Sequence, residues 1–368
     1  MNNNSIFQFS QEHTDGDASL TDLLGGKGAN LAEMSKMGIQ VPPGFTITTE
    51  VCNYFMEHAK LPDTLEKEIK VAVEKLEQYS GKQFGGEGTP LLLSVRSGGK
   101  VSMPGMMDSI LNIGLNDENV SKLAEAFDDE RFALDSYRRL IQMYSNVVLG
   151  LEHERFEAVI ANKKRMDNVT SDADFNVDQL NWIIDAFKNT IERFSEVPFP
   201  QDPQDQLVGA VEAVFASWLN DRAVTYRKIN NIPDTWGTGA TIQTMVFGNL
   251  NEKSGTGVAF TRNPSDGVKE LYGEYLMNAQ GEDVVAGIRT PLPLNKEATT
   301  GGDSLEIKHP KVYEEIINIA SKLENHFKEV QDIEFTIENE KIFLLQTRKA
   351  KRTAQASVKI AIDMEQEG

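Results

Sequence analysis

Residues 332–348 read DIEFTIENEKIFLLQTR, two runs of alternating residues on either side of Asn339 and Glu340. Alternation with β-branched and aromatic residues is the pattern of a half-buried antiparallel hairpin. A two-residue loop at Asn339 and Glu340 would set Glu334 against Leu345 and Ile333 against Gln346, mixing polar and apolar on each face. A three-residue loop over 339–341 pairs Phe335 with Leu345 and Ile337 with Phe343 on one face. It sets Glu334 against Gln346, and Asp332 against Arg348, on the other. The hydrophobic pattern selects this second register, because a slip of one residue sends a strand's side chains to the wrong face. Directly opposed residues have Cβ atoms about 4.5–5.5 Å apart. One face therefore gathers two carboxylates, an amide oxygen and an arginine. Oxygen donors of this kind suit Mg²⁺ shared with a polyphosphate; an ordinary charged solvent face would use the same residues.

Upstream of the hairpin, ATIQTMVFG, GTGVAFTRNP and ELYGEYLMNAQ carry further strand signals. From about 118 to 197 the period changes to that of a helix: Tyr137, Leu140, Ile141, Tyr144, Val147 and Val148 share a face, as do Leu180, Ile183, Ile184, Phe187, Ile191 and Phe194. The proline-rich break EVPFPQDPQDQ ends that block. Before it, residues 1 to about 115 mix both patterns: GGKGANLAEMSKMG reads as a glycine-rich entry to a helix that stops at Gly38, VPPGFTITT as a turn into a strand, and residues 64–80 as an amphipathic helix. The expected arrangement is α/β, then a helical insertion, then an α+β segment rich in antiparallel signals, with α+β as the fold class of the whole.

The 368 residues suffice for two or three domains. With 37 basic and 56 acidic residues the formal charge is −19, which argues against nucleic acid or an anionic membrane as main partner. Any anionic ligand must then meet a local cluster of cations. A single cysteine, Cys52, allows no internal disulfide. MNNNSIFQFSQEH has neither a basic nor an apolar secretory region, and no apolar run is long enough to span a membrane, so a cytoplasmic location is expected. No P-loop, no complete dinucleotide fingerprint and no zinc-ligand spacing occurs.

Two stretches offer the cations. In LLGGKGANLAEM, glycines flank Lys27 where a helix begins, so backbone amides and a positive helix end could approach an anion. A solvated lysine in a flexible turn fits the same letters. In SVRSGGKVSMPGMMDS, residues 94–109, a strand delivers Arg96, whose planar fork suits phosphate. Ser97, Gly98 and Gly99 offer unobstructed amides, Lys100 adds a point charge, and the methionines could form an adaptable lid. A surface loop with methionines packed on the core is the other reading.

These runs, together with VPPGFTITTE, MVFGN, GVAFTRNPSDG and NAQGEDVVAGIRTP, resemble the amino-terminal nucleotide-binding region of the pyruvate, phosphate dikinase family, from about residue 20 to the end. Pyruvate, water dikinases share the plan but differ at SMPGMMD. One departure is SGGKVSMPG, where relatives commonly read SGARVSMPG, so Lys100 ranks below Arg96. The resemblance implies an ATP-grasp-like fold with an inserted helical subdomain. Residues 1–115, completed by 205–240, would form one lobe, 116–204 the insertion, 241–353 the second lobe, and 354–368 the start of a linker to an absent phosphohistidine domain.

The resemblance also implies the chemistry. A histidine takes the β,γ-pyrophosphoryl group of ATP, phosphate accepts the γ-phosphoryl group to give pyrophosphate, and the phosphohistidine converts pyruvate to phosphoenolpyruvate. Carried over, Lys27, Arg96 and Arg348 would be catalytic, with Ser97, Gly98, Gly99 and Lys100 around the phosphates. Glu334 and Gln346 would hold Mg²⁺ beside Asp332. Gln243, Thr244, Met245 and Val246 would line the adenine slot, and Glu282 and Asp283 would lie near the ribose. The implied partners are ATP and the phosphohistidine and pyruvate-binding domains of a longer, homodimeric enzyme. None of His13, His58, His153, His309 and His326 sits in the family's threonine-serine-histidine run. A stand-alone nucleotide-binding module is the competing reading.

Overall fold

A computed structural model describes residues 4–285, 289–298 and 302–368. Two five-stranded antiparallel sheets organise the chain. The first has the order β1-β2-β5-β3-β4, from Ile6–Phe9 (β1), Gly44–Ile47 (β2), Leu93–Gly99 (β3), Ser109–Ile113 (β4) and Thr238–Thr244 (β5). The second has the order β10-β9-β6-β7-β8, from Gly255–Phe260 (β6), Tyr272–Met277 (β7), Leu292–Pro293 (β8), Gln331–Glu338 (β9) and Lys341–Lys349 (β10). Mixed helices and antiparallel sheets make this an α+β protein, as the alternating periods imply.

The chain divides into two compact units. The first comprises Met1–Phe9, Ala18–Ala29 and Pro43–Met245, the second Ser10–Asp17, Asn30–Pro42 and Val246–Gly368. The expected 1–115 block is therefore split, since segments 10–17 and 30–42 go with the second sheet. Non-local bonds explain their place: Gln11 Nε2 donates to the Ile39 carbonyl at 2.6 Å, the Leu344 N–H to that of Gln40 at 2.9 Å, and Asn30 Nδ2 to that of Thr347 at 2.8 Å. The helical block 116–204 belongs with the first unit.

In the first unit the sheet core is built from Phe45, Ile47, Leu93, Val95, Ile110 and Ile242, all fully buried. The helix Pro203–Ala216, started by Asp202, whose side chain accepts from Gln204 and Asp205, packs over β3, β4 and β5. The helices Glu130–Val147 and Val177–Phe194 pack together along the apolar faces that their periodicity marks, burying Tyr137, Leu140 and Ile141 against one another's side. In the second unit the helix Pro310–Phe327 covers β9 and β10. The helix Ala354–Glu367, expected as the start of a linker, packs Ala356 and Ile360 with Val330 and Ala350. Arg262, fully buried, ties it down by donating to Glu367 Oε2 and Glu324 Oε1, both at 2.7 Å.

Candidate functional site

The hairpin combines both registers weighed above. Asn339 and Glu340, at φ 50° and 65°, make a two-residue turn of the left-handed kind that matches strand twist. Near the turn, Ile342 faces Ile337, Phe343 faces Thr336 and Leu344 faces Phe335. The expected Phe335–Leu345 and Ile337–Phe343 pairs are thus corrected. A β-bulge then absorbs Leu345 as an extra residue, and pairing resumes with Gln346 opposite Glu334 and Arg348 opposite Asp332. Without that bulge, Gln346 and Arg348 would point to the face of Ile333 and Phe335.

The polar face is therefore assembled as expected. Gln346 Nε2 donates to Glu334 Oε1 at 3.1 Å, leaving the Gln346 carbonyl oxygen beside the same carboxylate. Arg348 Nε donates to Asp332 Oδ2 at 2.7 Å. Burial holds the Asp332 carboxyl above its usual range even with the Arg348 guanidinium bonded to it, and the Glu334 charge adds to the rise. A half-buried face with two carboxylates and one arginine keeps an excess of negative potential. Its donors are all hard oxygens, a set that fits a divalent cation sharing its shell with water and phosphate. Among the described residues no group of three His, Cys, Asp or Glu forms a closed metal cage.

In the first unit, β3 runs on through Gly99, so Ser97, Gly98 and Gly99 are strand residues where a loop was expected. Gly98 and Gly99 are strand residues opposite Gly239 and Thr238 of β5, and the Gly98 N–H donates to Thr238 Oγ1 at 3.1 Å. A Cβ on Gly98 would lie 3.1 Å from the Lys27 Cβ, and one on Gly99 3.3 Å from the Val101 carbonyl oxygen. Gly25, at φ 67° and ψ 167°, kinks the helix Thr21–Lys36 directly over β3, where an added Cβ would lie 1.7 Å from the Gly98 carbonyl oxygen. Across the pair, a Cβ on Gly239 would lie 2.7 Å from the Leu24 carbonyl oxygen.

This close approach brings the cations together. Lys27 Nζ donates to the Ser97 carbonyl at 2.9 Å, next in sequence to Arg96. Arg96 is half-buried in mid-strand, paired with Thr241 on β5 and Ser109 on β4. Lys100 follows the strand's end. Its ammonium is paired with Asp22 and lies over the Trp236 ring, 4.6 Å from the centroid. Three cations thus meet along one strand in a chain of net charge −19.

The loop beyond Lys100 is anchored. Met103 is buried with Trp218 and Ala223, and Met106, Met107 and Trp236 pack against them. Asp108 is bonded by Arg222 and by Asn220 Nδ2 at 3.0 Å, and Arg222 Nε donates to the Met106 carbonyl at 3.2 Å. The methionines therefore pack on a Trp-lined core in this structure.

On β5, Gln243 is buried between β2 and β3, and its carbonyl accepts from Ser94 Oγ at 3.3 Å. The strand ends at Thr244, whose N–H donates to the Pro43 carbonyl at 2.9 Å. Among the described residues the buried Thr244 hydroxyl has no hydrogen-bond partner. The Met245 N–H bonds the Leu92 carbonyl at 2.9 Å, and Val246 opens the second unit half-buried. Asp283 accepts from the Gln280 N–H at 2.9 Å within the short helix Gly281–Val285. Glu282 lies in the same helix, with its side chain outside the described residues.

Asp22, Trp236 and Thr238 are the residues that sequence reasoning missed. Asp22 had a faint signal, a carboxylate just ahead of the glycine-lysine run; Trp236 had none, being far along the chain from Lys100. Cys52 is fully buried, and burial pushes its thiol up to about 12. Among the described residues no helix is long and apolar enough to cross a membrane.

The family described as Pyruvate phosphate dikinase, AMP/ATP-binding domain, matches residues 21–79, 55–312 and 306–368. Pyruvate, phosphate dikinase of Rhizobium meliloti (strain 1021) is 50% identical over 368 residues, covering 99% of this chain and 41% of its own length. That of Clostridium symbiosum is 51% identical over 356 residues, covering 96% of this chain and 40% of the relative. The chloroplastic pyruvate, phosphate dikinase 1 of Oryza sativa subsp. japonica is 48% identical over 364 residues, 99% of this chain and 38% of the relative. The chain thus spans about two fifths of the curated relatives' length. With the matched segments running nearly end to end, this chain belongs to the pyruvate phosphate dikinase AMP/ATP-binding domain family.

Proposed function

We propose that the chain binds MgATP and presents it for pyrophosphoryl transfer to a histidine outside this chain, as the nucleotide-binding part of a pyruvate, phosphate dikinase. The observation that carries the reading is the gathering of Lys27, Arg96 and Lys100 along one strand of a strongly acidic protein. A local positive site within a net-negative chain suits an anion that must be held at one point. Arg96 and Lys27 would neutralise the polyphosphate. On the second unit, Glu334 and Gln346 would hold the Mg²⁺, with Asp332 fixing Arg348 beside them. Mg²⁺ when bound would offset the charge of the phosphates. An adenine edge would give the orphaned Thr244 hydroxyl the partner it lacks. The two antiparallel sheets accommodate an ATP-grasp-like plan. The relatives' names carry phosphate as co-substrate, which favours it over water as second acceptor.

Calorimetry with MgATP is the first test: saturable one-to-one binding is expected, and its absence would remove the reading. The metal assignment has its own check. If Glu334 and Gln346 share one ion, Glu334→Ala and Gln346→Ala should each weaken Mg²⁺-dependent ATP binding, and the double variant should lose much less than the sum. Groups sharing a ligand couple by about 0.5–3 kcal/mol. Strictly additive losses would mean that they do not share it.

The histidines set a further expectation. His13 bonds Asp15 at 2.6 Å, His58 the Tyr54 carbonyl at 2.9 Å and His326 Glu33 at 2.6 Å, while His153 lies 3.4 Å from Glu157 and His309 precedes the helix Pro310–Phe327. Four of the five thus already have a local hydrogen-bond or ion-pair partner, and transfer needs a nucleophile about 3–3.5 Å from phosphorus. Incubation with β-labelled ATP should leave this chain without an acid-labile label. A labelled, acid-labile band would overturn this expectation and place a phosphoryl acceptor within the chain.

A further inference from the structure

We propose that Trp236 is a positioning residue for Lys100, a neutral seat that keeps the ammonium at the end of β3 for a polyphosphate, and that Asp22 is the seat's displaceable counter-ion. This rests on the reading of the chain as a nucleotide-binding one. Lys100 has two partners, and they differ in kind. The Trp236 ring lies 4.6 Å from Nζ and attracts the cation through its face without neutralising it. Asp22 pairs with the same ammonium, but its side chain is 77% exposed. An ion pair so open to water holds little, and the higher charge of a polyphosphate outcompetes one carboxylate for the ammonium protons. The indole can remain beneath the cation while those protons turn to phosphate.

The seat is built to stay in place. Trp236 follows Asp234, whose carboxylate accepts from Arg227 Nε at 2.8 Å and whose carbonyl accepts from Trp218 Nε1 at 2.9 Å. The Arg227 guanidinium is almost fully buried and stacks 4.1 Å from the Trp218 ring centroid. The Trp236 N–H bonds the Pro233 carbonyl at 3.3 Å, and its ring packs on the Met103–Trp218–Ala223 cluster. Gly237, at φ 62°, turns the chain directly into β5, where a Cβ would meet Asn53 Oδ1 at 2.7 Å. The buried Arg227 and Trp218, both bonded by the exposed Asp234, thus form a base that fixes the ring against which a long, otherwise flexible lysine rests. Such preorganisation lowers the conformational cost of bringing the ammonium to its ligand.

The test is a double-mutant cycle on this chain, read by calorimetry with MgATP and with adenosine. Lys100→Met should weaken MgATP about tenfold or more, the scale of one charge-assisted hydrogen bond, and Trp236→Leu about fivefold, the scale of a partly exposed cation–π contact. Trp236→Leu should have no effect in the Lys100→Met background. Adenosine should bind all variants alike, Trp236→Phe should recover part of the loss, and Lys100→Arg should match or exceed the unaltered chain. Asp22→Asn should tighten MgATP, because it removes the competitor. Additivity of the first two changes, or equal weakening of adenosine, would reduce Trp236 to a packing residue. A weaker MgATP complex in Asp22→Asn would overturn the displaceable role. Asp22 is an exposed side chain and Lys100 a half-buried one outside the core, so these arms stand even where a Trp236 variant folds poorly. Failure of the unaltered chain to bind MgATP at all is a separate result, and it falls on the nucleotide reading.

Discussion

Arg96→Ala is expected to weaken MgATP about a hundredfold while leaving adenosine nearly untouched. Pairing with Thr241 on one side and Ser109 on the other holds the backbone at position 96, so truncating the side chain leaves β3 in register. What is lost is the guanidinium, half-buried at the point where Lys27 reaches the Ser97 carbonyl. A charge-assisted hydrogen bond contributes about 1.5–3 kcal/mol, and two parallel ones to a phosphate account for a loss of that size. Arg96→Lys keeps the charge but not the fork, and should recover only part of the affinity. Adenosine separates the two explanations of a loss. Equal weakening of adenosine and MgATP would show that position 96 shapes the protein rather than the phosphate contact.

The hairpin shows what one strand period can reveal. Alternation alone put Glu334, Gln346, Asp332 and Arg348 on one face, because a buried face tolerates no polar row opposite it. The bulge at Leu345 was not legible, since two adjacent leucines satisfy either register and only the turn at Asn339 and Glu340 decides which one begins. Gly98 and Gly99 show the opposite limit. Glycine announces that something approaches closely, but a local string cannot say whether that is a phosphate or another stretch of backbone. Here it is Gly25. The capture of segments 10–17 and 30–42 by the second unit, and the seat of Lys100 on Trp236, depend on pairings between distant residues that no local period encodes.

The turn over β3 gives the second large effect. Gly25→Ala should cost about 3 kcal/mol or more in stability and lower the melting temperature by roughly 10 °C. Two causes act together. With φ at 67° and ψ at 167°, Gly25 occupies a region that is essentially closed to residues with a Cβ. The added atom would also sit 1.7 Å from the Gly98 carbonyl oxygen and 2.6 Å from its carbon. Both neighbours are backbone atoms of Gly98, which pairs with Gly239 of β5 and bonds Thr238 Oγ1 through its N–H, so they cannot give way as a side chain would. Relief requires the turn to lift off β3, which withdraws Lys27 from the Ser97 carbonyl and should weaken MgATP as well. Gly38→Ala is the matched control. Gly38 also has a positive φ, of 72°, but nothing lies within 4 Å of its added Cβ, so only the conformational penalty of about 1 kcal/mol remains. Calorimetric melting of the two variants side by side isolates the steric part. If Gly25→Ala melts with Gly38→Ala and keeps its MgATP affinity, then the turn does not rest on β3, and Lys27 is not held where Arg96 can share its phosphate.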